Sequence, residues 1–354
     1  MDLTLTDEQR LFAEGLSRLL ARHHAFERRR ERVAAGDWGD ATLWAALAEL
    51  GAFGVAVPEE SGGFGGGAIE IGLALRAAGR HLLIEPITSA VIAGTLLGGT
   101  LDGDDHVAAL IGGEARLAPL FDPGPDGGSR RSVRGGAGAA FALLASDSEL
   151  RIVDMADVPS SPVPLLDDTV ALDMDIPADA GRALRLRNDW SRHLAGARAN
   201  DKLARCWQAL GTIDGAVEAT TAYVRERRQF GRPLSAFQTV QHRIAEMIVA
   251  ANEAEVAALL GALTLDAEGP GPAATRALAV ALHRCAMAGR IVAETAVQLH
   301  GGMGVSDELD IAARFRHLEA FRLSVAAEDR PVDTYRTVAM SEGAHRQSAV
   351  LRAA

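Results

Sequence analysis

The sequence predicts a mainly α-helical protein with a small β domain between two helical regions. Apolar residues recur at helical spacing up to about residue 113, and again from about residue 188 onwards. Between these regions, short apolar runs alternate with clusters of Gly, Pro, Asp and Ser, which is typical of strands and turns. We therefore expect an N-terminal helical domain over 1–113, a β domain over 114–187 and a helical bundle over 188–354.

The composition is that of a globular protein with two or three structural units. The chain has 354 residues, of which 48% are apolar and 23% are charged, enough for substantial cores. It contains no uninterrupted apolar run of 18 residues and no basic-then-apolar start, so we expect neither a membrane span nor a signal peptide. The net charge of −11 repels nucleic acid phosphates. These features predict a cytoplasmic protein that does not bind nucleic acid.

The N-terminal region contains clear helix boundaries. Thr6 and Gln9 have capping-box spacing ahead of an apolar periodic segment, which predicts a helix start. An apolar stripe that includes Trp44 ends at Gly51, a predicted helix stop. The segment 57–67 is rich in glycine but lacks the Gly-Lys-Ser/Thr ending of a phosphate-binding loop. We interpret it as a turn.

The middle region has the pattern of short strands. The runs 141–145 and 150–153 are apolar and are flanked by turn residues. Residues 122–138 contain two prolines and six glycines, so we expect a mobile surface loop there.

The C-terminal region predicts a bundle of long helices. Apolar stripes at steps of three and four cover 203–224, 240–251 and 278–299, and a Gly-Pro-Gly-Pro break at 269–272 separates the last two. Both cysteines, Cys206 and Cys285, fall on these stripes. We interpret them as core residues, and two cysteines provide no metal cluster, so no metal site is expected.

Two motifs stand out in the C-terminal region. The first motif, residues 227–241, reads Arg-Arg-Gln-Phe-Gly-Arg-Pro-Leu-Ser-Ala-Phe-Gln-Thr-Val-Gln, and the second motif, residues 298–304, reads Gln-Leu-His-Gly-Gly-Met-Gly. Helix capping would account for the arginines but not for the aromatic, glycine and proline that follow them. In this order the motifs resemble the flavin-binding signatures of the acyl-CoA dehydrogenase family. Similarity to the family covers nearly the whole chain and is weakest in the middle region.

The resemblance implies an FAD cofactor and an acyl-CoA dehydrogenase-like fold, with helical, β and four-helix-bundle domains in that order. It also assigns roles to individual residues. Arg227 would reach the flavin pyrophosphate of a neighbouring subunit, which a guanidinium fork suits, and Phe230 would stack on the adenine. The other implied FAD contacts are polar side chains and glycine backbone: Gln229, Gln238, Gln298, Gly301 and Gly302.

The family's reaction needs a carboxylate base, and its position is the weak point of the resemblance. Most members carry a glutamate 27 positions after the residue that matches Gln298, and Val325 stands there. Glu328 lies three residues further on and would require an insertion. Other members place the glutamate 26 positions before the residue that matches Arg227, which is Asp201. Asp201 is therefore the candidate catalytic base, and the alternative is a solvated aspartate near a helix start.

The strand region also departs from the family pattern. A Thr-Glu-Pro…Gly-Ser-Asp segment normally holds the flavin ring and the substrate, whereas residues 117–125 here read Leu-Ala-Pro-Leu-Phe-Asp-Pro-Gly-Pro. The chain therefore resembles the shortened subunit of two-subunit, α2β2 dehydrogenases of actinobacterial type. Such a subunit completes the flavin site of a catalytic partner.

This resemblance implies FAD-dependent α,β-dehydrogenation of a bulky acyl-CoA, including steroid esters, with an electron-transferring flavoprotein as acceptor. Three alternatives stay open. The chain could be a self-sufficient homo-oligomeric dehydrogenase that uses Asp201, a catalytically silent scaffold, or a flavin monooxygenase on the same fold.

Overall fold

A computed structural model describes residues 5–37, 39–122, 128–177 and 179–341. Helices precede and follow a region of strands, which confirms the predicted mainly α fold class. The chain divides into two compact units, Met1–Thr212 and Ile213–Ala354. The three domains with boundaries after residues 113 and 187 stay a prediction.

The first unit begins with helices that cover nearly all of the predicted N-terminal region. They are α1 (Asp7–His23), α2 (Phe26–Ala35), α3 (Ala41–Glu49), α4 (Ala68–Arg80), α5 (Ile87–Leu97) and α6 (Asp104–Ile111). The capping box forms as predicted, since Gln9 N donates to Thr6 Oγ1 at 3.2 Å and Thr6 N donates to Gln9 Oε1 at 3.0 Å. Gly51 follows α3 with a φ of +81°. The predicted turn over 57–67 is confirmed, with one short 3-10 turn in it.

Glycines bring α4 against the first part of α7 (Trp190–Glu226). A Cβ on Gly79 would collide with the carbonyl oxygen of Gln208, and a Cβ on Gly211 would collide with that of Arg76. The two helix backbones therefore approach as closely as glycine allows.

The strand region forms two small sheets. Its strands are β1 (Leu117–Phe121), β2 (Gly128–Arg134), β3 (Phe141–Ala145), β4 (Leu150–Asp154), β5 (Ser160–Pro164), β6 (Val170–Ile176) and β7 (Arg182–Ala183). One sheet has the order β1-β3-β4-β7 and the other β2-β6-β5. β1 pairs with β3 in parallel, and the remaining pairs are antiparallel. The predicted strands over 141–145 and 150–153 are confirmed, and their buried faces include Leu144 and Val153.

The predicted loop over 122–138 is wrong for residues 128–134, which form β2, and residues 123–127 lie outside the described part of the chain. β2 is polar, and it pairs with β6, whose aspartates accept hydrogen bonds from its serines. Ser132 N donates to Asp173 Oδ1 at 2.8 Å, and Ser129 bonds Asp175. Because this partner strand is about 40 residues away in the sequence, local glycine content could not reveal it.

A group of charged side chains is buried in the first unit. Arg32 Nη2 lies 2.6 Å from Oε1 of Glu85, whose side chain is fully buried. The imidazole of His24 places Nδ1 4.0 Å from Glu85 Oε2 and Nε2 3.2 Å from the carbonyl oxygen of Leu82. Arg29 Nε donates to the same carbonyl at 2.9 Å. Burial lowers the pKa of His24 to about 4, and the positive charges of Arg32 and Arg29 act in the same direction.

The second unit is helical, as predicted for this part of the chain. Beyond the end of α7 it contains α8 (Gln238–Glu268), α9 (Pro272–His300) and α10 (Ile311–Ser324), and the chain is helical again over 331–341. The predicted break falls between α8 and α9, where Pro272 occupies the first turn of α9. Cys285 on α9 is fully buried, as is Cys206 on the first part of α7.

One helix in the described part of the chain, Gln238–Glu268, is long and apolar enough to cross a membrane by length and composition alone. Its buried side chains include Met247, Ala254 and Ala258. The core helix of a soluble protein meets the same criterion.

Candidate functional site

The first motif folds into a β-hairpin directly after α7. The strands β8 (Arg228–Gln229) and β9 (Arg232–Pro233) pair across a two-residue turn. Both turn residues have positive φ, +52° for Phe230 and +79° for Gly231, as the tight primed hairpin turns require. Phe230 is 90% exposed. A bulky residue in this strained conformation, with its ring in solvent, is typical of a binding site.

Aromatic contacts fix the hairpin against the start of α8. The ring of Phe237 lies 6.1 Å from that of Phe230 at 80°, and the Arg232 guanidinium lies 4.0 Å over it. Leu234 N donates to the carbonyl oxygen of Arg227 at 2.8 Å. Arg227 and Gln238, which precede and follow the hairpin and its 3-10 turn, are both exposed.

The second motif forms the end of α9 and the 3-10 turn Gly301–Val305 that follows it. Gln298 is exposed on the last turn of the helix, and Gly301 has a φ of +61°, which favours glycine. A Cβ on Gly302 would meet no atom within 4 Å, whereas a Cβ on Gly304 would lie 2.7 Å from the carbonyl oxygen of Val297. Packing within the chain explains the glycine at 304 but not the glycine at 302.

The structure brings the two motifs together through an aromatic pair that sequence reasoning missed. Tyr223, one helical turn before Arg227, stacks on His300, with ring centroids 4.2 Å apart and planes at 24°. His300 is buried and immediately precedes Gly301. The available signal was the position of each ring next to a motif, but no local pattern shows that the rings meet.

The predicted contact residues have unused binding capacity. The side chains of Arg227, Gln238 and Gln298 are exposed and make no hydrogen bond or ion pair with the described residues. Gln229 and Phe230 are exposed as well. An unpaired guanidinium suits a diphosphate, an exposed ring suits a heteroaromatic base, and the space beside Gly302 admits a ligand. The arrangement fits the adenosine diphosphate part of FAD.

Asp201 lies about one third of the way along α7, in the first unit. Because Asp201 is not near a helix start, the prediction that the helix dipole stabilises its negative charge is wrong. Its Oδ2 lies 3.3 Å from Nε of Arg205, one turn further on, and the carboxylate side chain is 29% exposed. The aspartate has an ionic partner within its own helix, and its role as the base stays a prediction.

The position where most of the family carries its base is apolar. Val325 is buried at the start of the π-helical turn Val325–Asp329. It lines a cavity of about 300 Å³ together with Met287 and Ala326, and Arg290 and Arg322 also contribute to its wall. Glu328 is exposed and lies outside the residues that line this cavity.

A core strand stands where the family carries the Thr-Glu-Pro…Gly-Ser-Asp segment that holds the flavin ring. Residues Leu117–Phe121 form β1, and Leu117, Ala118 and Leu120 are buried. Inward-facing apolar side chains leave this strand few groups with which to hold a flavin ring. Residues 123–125 of the same segment lie outside the described part of the chain.

Comparison with known proteins identifies both helical regions. Residues 6–101 match the N-terminal domain of acyl-CoA dehydrogenases, and residues 195–324 match the C-terminal domain. The chain is 29% identical to the acyl-CoA dehydrogenase FadE34 of Mycobacterium tuberculosis over 328 residues. This alignment covers 88% of the chain but only 45% of FadE34, so the chain spans less than half the length of that relative.

A second relative and a solved structure extend the comparison. The chain is 30% identical to the acyl-CoA dehydrogenase FadE28 of Mycobacterium tuberculosis, covering 61% of the chain and 69% of FadE28. It superposes on a variant of the Tcur3481-Tcur3483 steroid ACAD with a TM-score of 0.83 and 25% identity, covering 97% of this chain and 100% of that one. With the helical, strand and helical order of the fold and the two motifs in place, this protein belongs to the acyl-CoA dehydrogenase family of oxidoreductases.

Proposed function

We propose that this chain is one subunit of an FAD-dependent acyl-CoA dehydrogenase and completes the flavin site of a catalytic partner chain in an α2β2 assembly. One contrast carries the proposal. In the second unit the motif side chains Arg227, Gln238 and Gln298 are exposed and pair with none of the described residues. The family's usual base position, in contrast, holds the buried Val325.

The residues of the two motifs would hold the adenosine diphosphate part of FAD. Arg227 would pair with the pyrophosphate, Phe230 would stack on the adenine, and Gln229 and Gln238 would add polar contacts. At the second motif, Gln298 and the backbone of Gly301 and Gly302 would lie against the cofactor. Bound FAD supplies the hydride acceptor for dehydrogenation.

The proton-accepting carboxylate would come from the partner chain. Valine has no atom that can accept a proton, and Glu328 lies outside the cavity that Val325 lines. The charge of Asp201 is already compensated by Arg205. These three observations favour a partner subunit over the self-sufficient homo-oligomer, in which Asp201 would be the base.

The second unit has an apolar surface suited to a partner. Large apolar side chains are exposed along α8 and α9, and a concentration of exposed apolar side chains is typical of a protein interface. They are Ile248, Val249, Val256, Leu260, Val280, Met287 and Ile291. Arg284 and Glu253 form an ion pair beside them, at 3.3 Å. We infer that another acyl-CoA dehydrogenase subunit covers this surface.

The substrate, the electron acceptor and the location are proposed from the similarity to related proteins. A bulky acyl-CoA, including a steroid ester, is proposed as substrate because the solved structure of similar fold is a steroid ACAD. An electron-transferring flavoprotein is the proposed acceptor, and a cytoplasmic location is the proposed setting.

The test is the FAD content of the purified chain, measured by visible absorption, alone and after co-expression with a full-length dehydrogenase subunit. We expect little flavin alone and about one FAD per two chains in the complex. One FAD per chain in the absence of a partner would contradict the proposal and support the homo-oligomer. Absence of flavin in both samples would support a silent scaffold.

An Arg227→Ala variant tests the site itself. Loss of a charge-assisted pair with the pyrophosphate should weaken FAD retention by about 10- to 100-fold. Because Arg227 is exposed and has no ion pair with the described residues, the free energy of unfolding should change by less than about 0.5 kcal/mol. Undiminished FAD content in the complex would refute the assignment of Arg227. An Asp201→Asn variant of the complex should keep its turnover, and loss of turnover would support Asp201 as the base.

A further inference from the structure

Tyr223 and His300 link the two flavin motifs of the second unit. Tyr223 lies one turn before Arg227, and its carbonyl oxygen accepts a hydrogen bond from Arg227 N at 2.8 Å. His300 lies between Gln298 and Gly301 in the second motif. Tyr223 therefore lies just before the first motif, and His300 lies where the second motif passes from α9 into the 3-10 turn.

The contact joins ring to ring and ring to backbone. The two rings stack at a centroid distance of 4.2 Å. The Tyr223 hydroxyl also donates to the carbonyl oxygen of His300 at 3.5 Å, next to the peptide that leads into Gly301. Displacement of Tyr223 would remove the contacts to both the ring and the carbonyl oxygen of His300, the residue before the 3-10 turn.

His300 is held in one orientation by its own helix. Its Nδ1 lies 2.8 Å from the carbonyl oxygen of Ala296. A carbonyl oxygen can only accept, so Nδ1 carries the proton, and rotation of the ring would break this bond. Burial lowers the pKa of His300 and so favours the neutral imidazole.

We propose that Tyr223 and His300 are positioning residues that hold the two motifs in one arrangement; we call the pair the aromatic clamp. The identity of the ligand rests on the proposed function, but the clamp is a property of this chain alone. If the pair were only a packing contact, its loss would loosen the residues beside each substitution. A clamp transmits the loss of one ring to the motif that carries the other.

Hydrogen exchange of the full-length chain, followed by mass spectrometry, separates these cases. We expect Tyr223→Leu to speed exchange about 3- to 10-fold in peptides that cover the 3-10 turn Gly301–Val305. His300→Leu should do the same for peptides that cover 228–233. Tyr223→Phe keeps the ring and should exchange like the parent chain. Tyr335→Leu, at the other tyrosine of the chain, should leave both motifs unchanged.

Two results would overturn the clamp. In one, each leucine variant loosens only the peptides next to its own substitution. In the other, exchange rises equally across the whole chain, which would indicate general destabilisation.

FAD binding to the complex with a dehydrogenase subunit, titrated by flavin fluorescence, provides the second measurement. Tyr223→Leu should weaken binding about tenfold and Tyr223→Phe should not, since the ring and not the hydroxyl provides most of the contact. If the leucine variants show coupled exchange but the parent complex binds no FAD, the clamp is supported and the proposed function is refuted. Uncoupled exchange would refute the clamp whatever the flavin content.

Discussion

An arginine and a glycine in each of the two compact units show opposite uses of the same residue types. In the first unit, Arg32 and Glu85 are buried and paired with each other, and Gly79 lets two helices touch. In the second unit, Arg227 is exposed without a partner among the described residues, and Gly302 has open space around it. At these positions, charge and glycine maintain the fold of the first unit, whereas in the second unit they are available to a ligand. Position in the structure, not residue type, separates the two uses.

The largest effect should come from breaking the buried ion pair. Glu85→Gln keeps the size of the side chain but removes the buried countercharge of the Arg32 guanidinium, which is only 8% exposed. The carboxylate that stays near it, Asp37 at 3.5 Å, is half exposed. We expect a loss of about 3–5 kcal/mol in the free energy of unfolding, measured by urea denaturation. The control is Glu14→Gln, which breaks an exposed pair with Arg18 and should cost less than about 0.5 kcal/mol. Similar losses in both variants would remove the distinction between buried and exposed charge.

The next effect concerns the close helix contact. Gly79→Ala places a methyl group against the carbonyl oxygen of Gln208, and we expect a loss of about 1–3 kcal/mol in thermal or urea unfolding. Gly196 is the matched control because it lies on α7 and a Cβ there meets no atom within 4 Å. Gly196→Ala should stabilise the chain by up to about 1 kcal/mol, since alanine favours a helix. A neutral Gly79→Ala variant would show that the two helices can separate without cost.

The buried histidine should make stability depend on pH. His24 has a folded pKa of about 4, below the value of about 6.5 expected in the unfolded chain. The unfolded state therefore binds more protons between these values, and stability falls as the pH falls through this window. We expect His24 to account for a loss of about 2 kcal/mol between pH 7 and pH 5. The groups that face it are Glu85, Asp40, Arg29 and Arg32.

His24→Gln provides the comparison for this pH dependence. A glutamine amide can still donate to the carbonyl oxygen of Leu82 but has no proton to gain. Urea unfolding of both proteins at several pH values isolates the contribution of His24. An identical pH dependence in the two proteins would refute the assignment.

The smallest effect on the fold should be the most specific for function. The methyl group added by Gly302→Ala would have no atom within 4 Å, so we expect the free energy of unfolding to change by less than about 0.5 kcal/mol. FAD retention by the complex should nevertheless fall about tenfold. Gly304→Ala reverses the pattern, because its Cβ would lie 2.7 Å from the carbonyl oxygen of Val297 and should destabilise the chain. Normal FAD binding by Gly302→Ala would show that the open space is not part of the site.

Features determined by nearby residues were predictable from the sequence. The capping box at Thr6 and the break before Pro272 depend on a few adjacent positions, and both are as predicted. The motifs were visible for the same reason, although the roles of their residues stay predictions. Strand β2 was missed because it is specified by β6. The contacts of Tyr223 with His300 and of His24 with Glu85 join distant residues, and no local periodicity encodes such pairs.

The apolar side chains along α8 and α9 have a consequence for the cell that makes this protein. If a partner subunit covers this surface, as proposed, a copy without that partner would present Val256 and its neighbours to water and would be prone to aggregation and to capture by chaperones and proteases. In the proposed two-subunit assembly, synthesis of the two subunits in matched amounts would avoid this fate. Selection on this surface would then act on gene dosage and co-production as well as on catalysis.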